Sequence, residues 1–391
     1  MKKQLLAIIT VLALCISVFV ACSPEVKGTE GLDYYLLPDG TYGVAAGHAA
    51  YLEEIVIPEE YNGKPVTQIL LAAFYVAPNL KKLSIPSSIT KIYDSSFLFA
   101  GNDATIEYNE HDNAYYLGNE SNPYVVLIKA KSRDIISCEI HPDTKLIYSE
   151  AFENCYTLAE LKLPDGLVGI GASAFSSCCE LKEISIPDGV AYIGSGAFAS
   201  CAKLKSVNIP SSLTKIDTQT FYGCSDLEQI VIPDSVTSIG VNAFCHCSDL
   251  KSVTIGNGVK SIGESAFIYC TSLTEINIPQ GVTSINRMTF IGCTILSFIN
   301  YGGTVAQAKA LSNSNGLSTD FPWYTNGLNH ITVICSDGVI EPDDEDNEEI
   351  TLGGEGTVEE TTTVKETTVE TTTIVIEETT TADEETTTAD E

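Results

Sequence analysis

The sequence predicts a solenoid, a stack of 23-residue coils that is mostly β with short 3₁₀ or helical turns and is capped at both ends. Three observations predict it. Phenylalanine recurs at 152, 175, 198, 221, 244, 267 and 290, always at the same interval, and Phe74 and Phe97 form another pair at that spacing. From Phe152 on, each Phe is followed three residues later by Cys (155, 178, 201, 224, 247, 270, 293) and six residues later by Leu (158, 181, 204, 227, 250, 273, 296). Apolar residues two apart, such as Ile184 and Ile186 or Ile230 and Ile232, complete each period. A unit this small does not bury an apolar face alone, so stacked neighbours must close a continuous core.

One period supplies the elements in order. Ile230-Val231-Ile232 is a short strand whose alternate residues face inward. Pro233 lacks a backbone donor and ends it. Asp-Gly or Ser-Ser pairs after the proline make a turn. Val236 and Ile239 return apolar groups to the core, and Phe, Cys and Leu at spacing three predict a tight, 3₁₀-like segment with one buried face. Strands of successive coils would lie about 4.8 Å apart.

This frame resembles the BspA-type, or treponemal-type, leucine-rich repeat of bacterial surface proteins, over residues 33–340. The segment 33–66 looks like that family's N-terminal cap, with Pro38-Asp39-Gly40 as a hairpin turn and Ile55-Val56-Ile57-Pro58 as a strand. Repeats then run over about 67–100 and 142–301, and 302–340, with Trp323 and Tyr324, loses the frame as a C-terminal cap. The resemblance implies a leucine-rich-repeat solenoid that binds host matrix proteins or other bacteria.

The frame breaks once. The interval from Phe97 to Phe152 is longer than two periods, and Asp103 stands where Leu belongs. The insert 101–141 holds Tyr115, Tyr116 and Tyr124, and Val125 to Ile128 reads as a strand. A hairpin on the side of the solenoid is expected. Its tyrosines either present a binding patch or pack the insert down.

Residues 1–21 read as an export signal, with Met-Lys-Lys before an apolar run from Leu5 to Ala21. That run is marginal for a span, which needs about 20 apolar residues. Val20-Ala21-Cys22 before Ser23-Pro24 resembles a bacterial lipoprotein signal, although Phe19 stands where that family prefers Leu. The resemblance implies lipidation of Cys22, a linker over 22–32, and a surface protein that meets the membrane only through its lipid. The alternative is cleavage near Ala21 and secretion.

The net charge is −31, of which residues 341–391 carry −18, with 19 acidic residues against Lys365 alone. Nucleic-acid binding needs clustered Lys and Arg and is not expected. The Thr/Glu-rich tail reads as disordered, extended by its own repulsion and suited to O-glycans.

No enzyme and no cofactor are expected. The five histidines are scattered, no Gly-x-Ser-x-Gly or phosphate loop is present, and carboxylates do not recur as inward pairs. Cys245-His246-Cys247 invites a zinc reading, but Cys247 belongs to the inward ladder and a site needs about four ligands. The seven ladder cysteines read as buried free thiols acting as small hydrophobes. The remaining surface is the outward side of the strands, where Lys162, Ser185, Asn208, Val231, Thr254, Asn277 and Asn300 form a column. A monomer that binds an extracellular protein through this face is expected. A glycan is the alternative, and it calls for exposed aromatic platforms of the kind the insert tyrosines and Trp323 would offer.

Overall fold

A computed structural model describes residues 28–94, 96, 106–286, 288–311 and 331–340. The signal region with Cys22, Phe97, Asp103, Trp323, Tyr324 and the Thr/Glu tail lie outside the described residues. All described residues belong to the first of two compact units, 1–344 and 345–391.

Each coil of the main stack has three sides. The first is a strand such as Gln229–Ile232, which pairs in parallel with Ser252–Ile255 through Ile230↔Val253 and Ile232↔Ile255. Pro or Gly follows, as the sequence requires. The second side is a two-residue strand such as Ser238–Ile239, paired with Lys215–Ile216 before it and Ser261–Ile262 after it. The third side is the Phe segment, a run of turns in which Phe, Cys and Leu all point inward and are fully buried.

That third side holds together by an arrangement the sequence does not advertise. Two positions per coil have left-handed backbone. Two residues before Phe stand Glu150, Ser173, Gly196, Gln219, Asn242, Ser265 and Met288, with φ of 52–63°. Two residues after it stand Asn154, Ser177, Ser200, Gly223, His246, Tyr269 and Gly292, with φ of 59–75°. For side chains such as Met288 and Tyr269 this backbone is strained by about 1 kcal/mol or more. In return alternate amides face the next coil. Glu150 N–H donates to Ala172 O at 2.8 Å, Phe152 to Ala174 at 2.7 Å and Asn154 to Ser176 at 2.8 Å, and the following coils repeat the set.

The phenyl rings of Phe152 through Phe290 form one column, with centroids 5.3–5.9 Å apart and planes within 10° of parallel. The cysteines form a second column and are free thiols. Each thiol does more than fill space. Cys201 Sγ donates to Phe175 O at 3.1 Å and Cys224 Sγ to Phe198 O at 3.2 Å, and the same contact recurs for Cys178, Cys247, Cys270 and Cys293. The Phe carbonyl thus accepts both its own coil's Cys N–H and the next coil's S–H.

The insert departs from the side hairpin expected from the sequence. Asn109–His111, Ala114–Leu117 and Val126–Ala130 form an antiparallel meander that continues the second sheet, with Val126–Ala130 pairing in parallel with Leu146–Ile147. The reason lies in the strand itself. Val126, Leu127 and Ile128 are all buried, which suits a strand covered on both faces. Leu127 enters the main core, while Val126 and Ile128 enter a separate core built from residues 32–106. That N-terminal stack contains the strands Tyr42–Ala45, Lys64–Ile69 and Lys91–Ile92. Contacts across the boundary are specific. Ser149 Oγ donates to Asp94 at 2.6 Å, and the Tyr192 hydroxyl meets the backbone of Ile92. Gly169 makes room for that tyrosine, since a Cβ there would lie 2.1 Å from the ring.

At the other end the helix Val305–Ala310 starts with a capping box, in which Thr304 and Gln307 bond each other's backbone amides. Thr332–Cys335 then adds in parallel to Phe298–Tyr301, and Gly338–Ile340 turns back beside it.

Candidate binding surface

The outward column lies in register on the first side of the stack. Glu139 pairs with Lys162, Val231 with Thr254, Thr254 with Asn277, Asn277 with Asn300, and Asn300 with Ile334. Lys162, Ser185, Asn208, Val231, Thr254 and Asn277 are exposed and Asn300 is half-buried. Strand alternation produces this, because their neighbours Leu163, Ile186, Ile209, Ile232, Ile255 and Ile278 face the core.

The column is not uniform. Asn208 is engaged in the fold. Its Oδ1 accepts from Ile186 N–H and its Nδ2 donates to Ile186 O, both at 2.7 Å. The side chain thereby replaces a backbone bridge where the paired residues Glu183–Ile184 and Ser206–Val207 stop. Asn300 Nδ2 donates to Asn277 Oδ1 at 3.0 Å, a two-rung amide ladder. Ionic pairs lie along the same side, Lys203 with Glu180 at 2.7 Å and Lys251 with Glu228 at 3.1 Å. All four groups are well exposed, so each pair contributes less than about 1 kcal/mol.

Toward the C-terminal end the face turns apolar. Val231 is 61% exposed, Phe298 48%, Val339 49% and Ile334 40%. Ile334 and Val339 are directly opposed across their antiparallel pair. Beside them runs an open groove of about 430 Å³ lined by Asn277, Asn300, Tyr301, Ile334, Ser336 and neighbouring residues. Phe298 stands in a column otherwise filled by Lys, Glu, Ser, Gln and Thr, so its departure is visible in the sequence. Ile334 has no such signal, because its strand follows a stretch in which the 23-residue frame is lost.

The insert tyrosines do not join this face. They stand on the meander of the second sheet. Tyr116 is fully buried and is no surface residue. Its ring closes the end of the main core, and its hydroxyl oxygen accepts from His141 N–H at 3.4 Å. Tyr124 is half-buried and stacks on His141 at 3.9 Å. Tyr115 is half-buried beside Tyr108, with the ammonium groups of Lys129 and Lys131 5.9 and 5.7 Å from its ring centroid. Packing, not presentation, accounts for Tyr116 and Tyr124. A further aromatic cluster lies in the N-terminal stack. Tyr34 and Tyr61 stack at 3.8 Å, Tyr42 meets Tyr61 edge-on at 5.1 Å, and Tyr61 is 37% exposed.

The cysteines offer little nucleophilic chemistry. Burial pushes the thiols of Cys201, Cys224, Cys247 and Cys270 far up, that of Cys155 to about 11 and that of Cys293 to about 12. Thiolate is the reactive form, so these groups stay inert while the stack is folded. Cys245 is buried as well, its thiol raised to about 11, whereas His246 is exposed against Tyr269 at 4.7 Å. The Cys245-His246-Cys247 tripeptide therefore points its side chains in different directions. Among the described residues no group of three or more His, Cys, Asp or Glu is placed to hold a metal, and no helix is long and apolar enough to cross a membrane.

Comparison with known proteins agrees with this architecture. The model of the BspA type leucine rich repeat region matches in six copies, over residues 48–120, 130–251 and 214–322. No curated protein matches significantly. Among solved structures, the chain is similar to a leucine-rich repeat protein of Treponema pallidum, with 24% identity over 63% of this chain and 90% of that one and a TM-score of 0.32. A leucine-rich cell surface protein of Faecalibacterium prausnitzii is 22% identical over 76% and 100% of the two chains, with a TM-score of 0.34. A leucine-rich repeat protein of Eubacterium ventriosum is 19% identical over 68% and 93%, with a TM-score of 0.42. With its family model covering more than half of its length and its 23-residue coils in place, this chain belongs to the BspA-type leucine-rich-repeat family.

Proposed function

We propose that the protein is an exported cell-surface scaffold that binds an extracellular protein along the outward strand face and performs no catalysis. The observation that carries this reading is the outward face of the first side of the stack, polar at Lys162 and Ser185 and apolar at Phe298, Ile334 and Val339. Its backbone and inward side chains are fixed by the core, so its outward side chains are presented rigidly. Preorganisation of that kind lowers the ordering cost of binding. Phe298 and the Ile334–Val339 pair supply the apolar anchors such surfaces use, with the Asn277–Asn300 amides at their edge. The signal-like N-terminus supports export, and Cys22 is the anchor on this reading.

Binding of the mature chain to an array of extracellular matrix and bacterial surface proteins tests it. A saturable ligand is expected, with affinity lost by at least roughly tenfold in Phe298→Asp and Ile334→Asp, as removal of a hot-spot side chain implies. A ligand bound equally by these variants would move the site elsewhere, and no ligand at all would remove the reading.

The Tyr34–Tyr61 stack, with Tyr61 37% exposed, favours a second reading, capture of a glycan on an aromatic platform. A glycan array separates the two, since Tyr61→Ala should abolish sugar binding and leave protein binding intact.

A further inference from the structure

The insert meander ends in a small aromatic box that joins it to the main stack. His111, on the strand Asn109–His111, and His141, just after the strand Ser137–Glu139, meet edge to face with ring centroids 5.0 Å apart. Tyr124 stacks on His141 at 3.9 Å and faces His111 at 5.9 Å, and buried Tyr116 stands 6.4 Å from His111. His111 Nε2 is buried without a hydrogen-bond partner. The other such atom among the described residues is Thr144 Oγ1, and Thr144 N–H donates to His141 O. His141 Nδ1 accepts from Asp143 N–H at 3.2 Å.

The same meander covers an edge of the outward sheet. Ser137–Glu139 begins that sheet, and no strand pairs with its outer side among the described residues. The tight turn of the meander stands in for one. Asp112 Oδ2 accepts from Glu139 N–H at 2.7 Å, and Asn113 Nδ2 donates to Ser137 O at 2.9 Å. The histidine box lies directly beside these two bonds in sequence and in space.

We propose that His111 and His141 form an acid-sensitive latch, which holds the meander over the Ser137–Glu139 edge while both imidazoles are neutral and releases it when they are protonated. Protonated His111 carries an N–H at Nε2, where the structure offers no acceptor. Protonated His141 also carries an N–H at Nδ1, which the Asp143 amide already approaches as a donor. Two cations about 5 Å apart in a half-buried box repel each other in a medium of low dielectric. The groups facing the pair are Tyr116 and Tyr124 from the meander, Asp143 from the turn after His141, and Cys138 and Asp112 beyond Tyr116. The carboxylates of Asp112 and Asp143 oppose release. That of Asp143 lies 3.9 Å from His141 Nδ1 and is 69% exposed, and Asp112 is exposed as well, so both are screened by water. In agreement, burial foremost and the His111 charge next hold the His141 imidazole below its ordinary value. A base with a depressed folded-state pKa stabilises the latched form above about pH 6.5, and that stability is lost as pH falls below it. The released edge exposes unpaired N–H and C=O groups that an extended chain can pair with.

Hydrogen exchange of the full mature chain at pH 7.5 and pH 5.0, corrected for intrinsic rates, tests the latch. Protection of residues 109–117 and 137–139 should fall at pH 5.0 by roughly tenfold for each unit by which an imidazole is depressed, while coils 160–300 stay unchanged. The double variant His111→Gln, His141→Gln should show no such selective loss. Equal loss in the double variant would assign the effect to carboxylates, and uniform protection in the wild type would remove the latch. Should the double variant misfold, carbon-detected titration of the wild-type His141 imidazole decides the matter, because a His141 that titrates at or above pH 6.5 contradicts the latch.

Discussion

A coil in the middle of the stack and the junction at Val126–Ala130 both place a strand on the second side, yet they are held by different means. In the coil that carries Phe221, the inward contacts repeat from coil to coil. Phe221 stacks between Phe198 and Phe244, and Cys224 bonds Phe198 O. The contacts across the junction are of another kind. Tyr192 reaches Ile92, Ser149 reaches Asp94, and Lys145 Nζ donates to Ser87 O at 3.4 Å. Stability in the stack comes from repetition, while stability at the junction comes from single pairings that occur once.

Breaking the repetition should have the largest effect. Phe221→Ala removes a fully buried ring between two others and is expected to destabilise the stack by about 3–5 kcal/mol, read as a shift in the denaturant midpoint. Breaking the junction comes next. Gly169→Val places a side chain where the Tyr192 ring lies and should cost about 1–3 kcal/mol, with hydrogen exchange rising first at Lys91–Ile92. If exchange instead rises evenly along coils 160–300, the junction is not a separate element. Asn208→Ala sharpens the comparison within one coil. It removes two hydrogen bonds to Ile186 that no other coil makes among the described residues, at about 1 kcal/mol each, and the loss should appear in the melting transition. Lys203→Gln should change stability by less than about 1 kcal/mol, since the pair with Glu180 is exposed. A larger effect there would mean that the charged edge of the face helps hold the coils together.

The same contrast decides what is legible in the sequence. The inward columns can be read residue by residue, because spacing alone places Phe175, Cys178, Leu181, Ile184 and Ile186 in one core. The outward column follows from strand alternation. Three things do not follow. The left-handed residues on either side of Phe vary from Gly196 to Met288, so no residue type marks them. The thiol's bond to a carbonyl joins Cys224 to Phe198, an offset slightly longer than one coil, which a one-coil frame does not show. Tyr116 reads as a surface candidate because a break in the frame removes the rule that would have placed it. Its burial is set by the meander's pairing with Val126–Ala130, a contact with no counterpart elsewhere among the described residues.

Adjacent residues of the strand Gln229–Ile232 divide the labour, the inward ones making the fold and the outward ones facing solvent. Paired unfolding measurements on Ile230→Asp and Val231→Asp test this most directly. Ile230 is 2% exposed and Val231 61%, side by side on Gln229–Ile232. Ile230→Asp should lose about 3 kcal/mol or more, as an unpaired carboxylate buried in a core demands. Val231→Asp should stay within about 0.5 kcal/mol of the wild type. Comparable losses in the two variants would contradict that division, because the outward face would then be part of what holds the stack together.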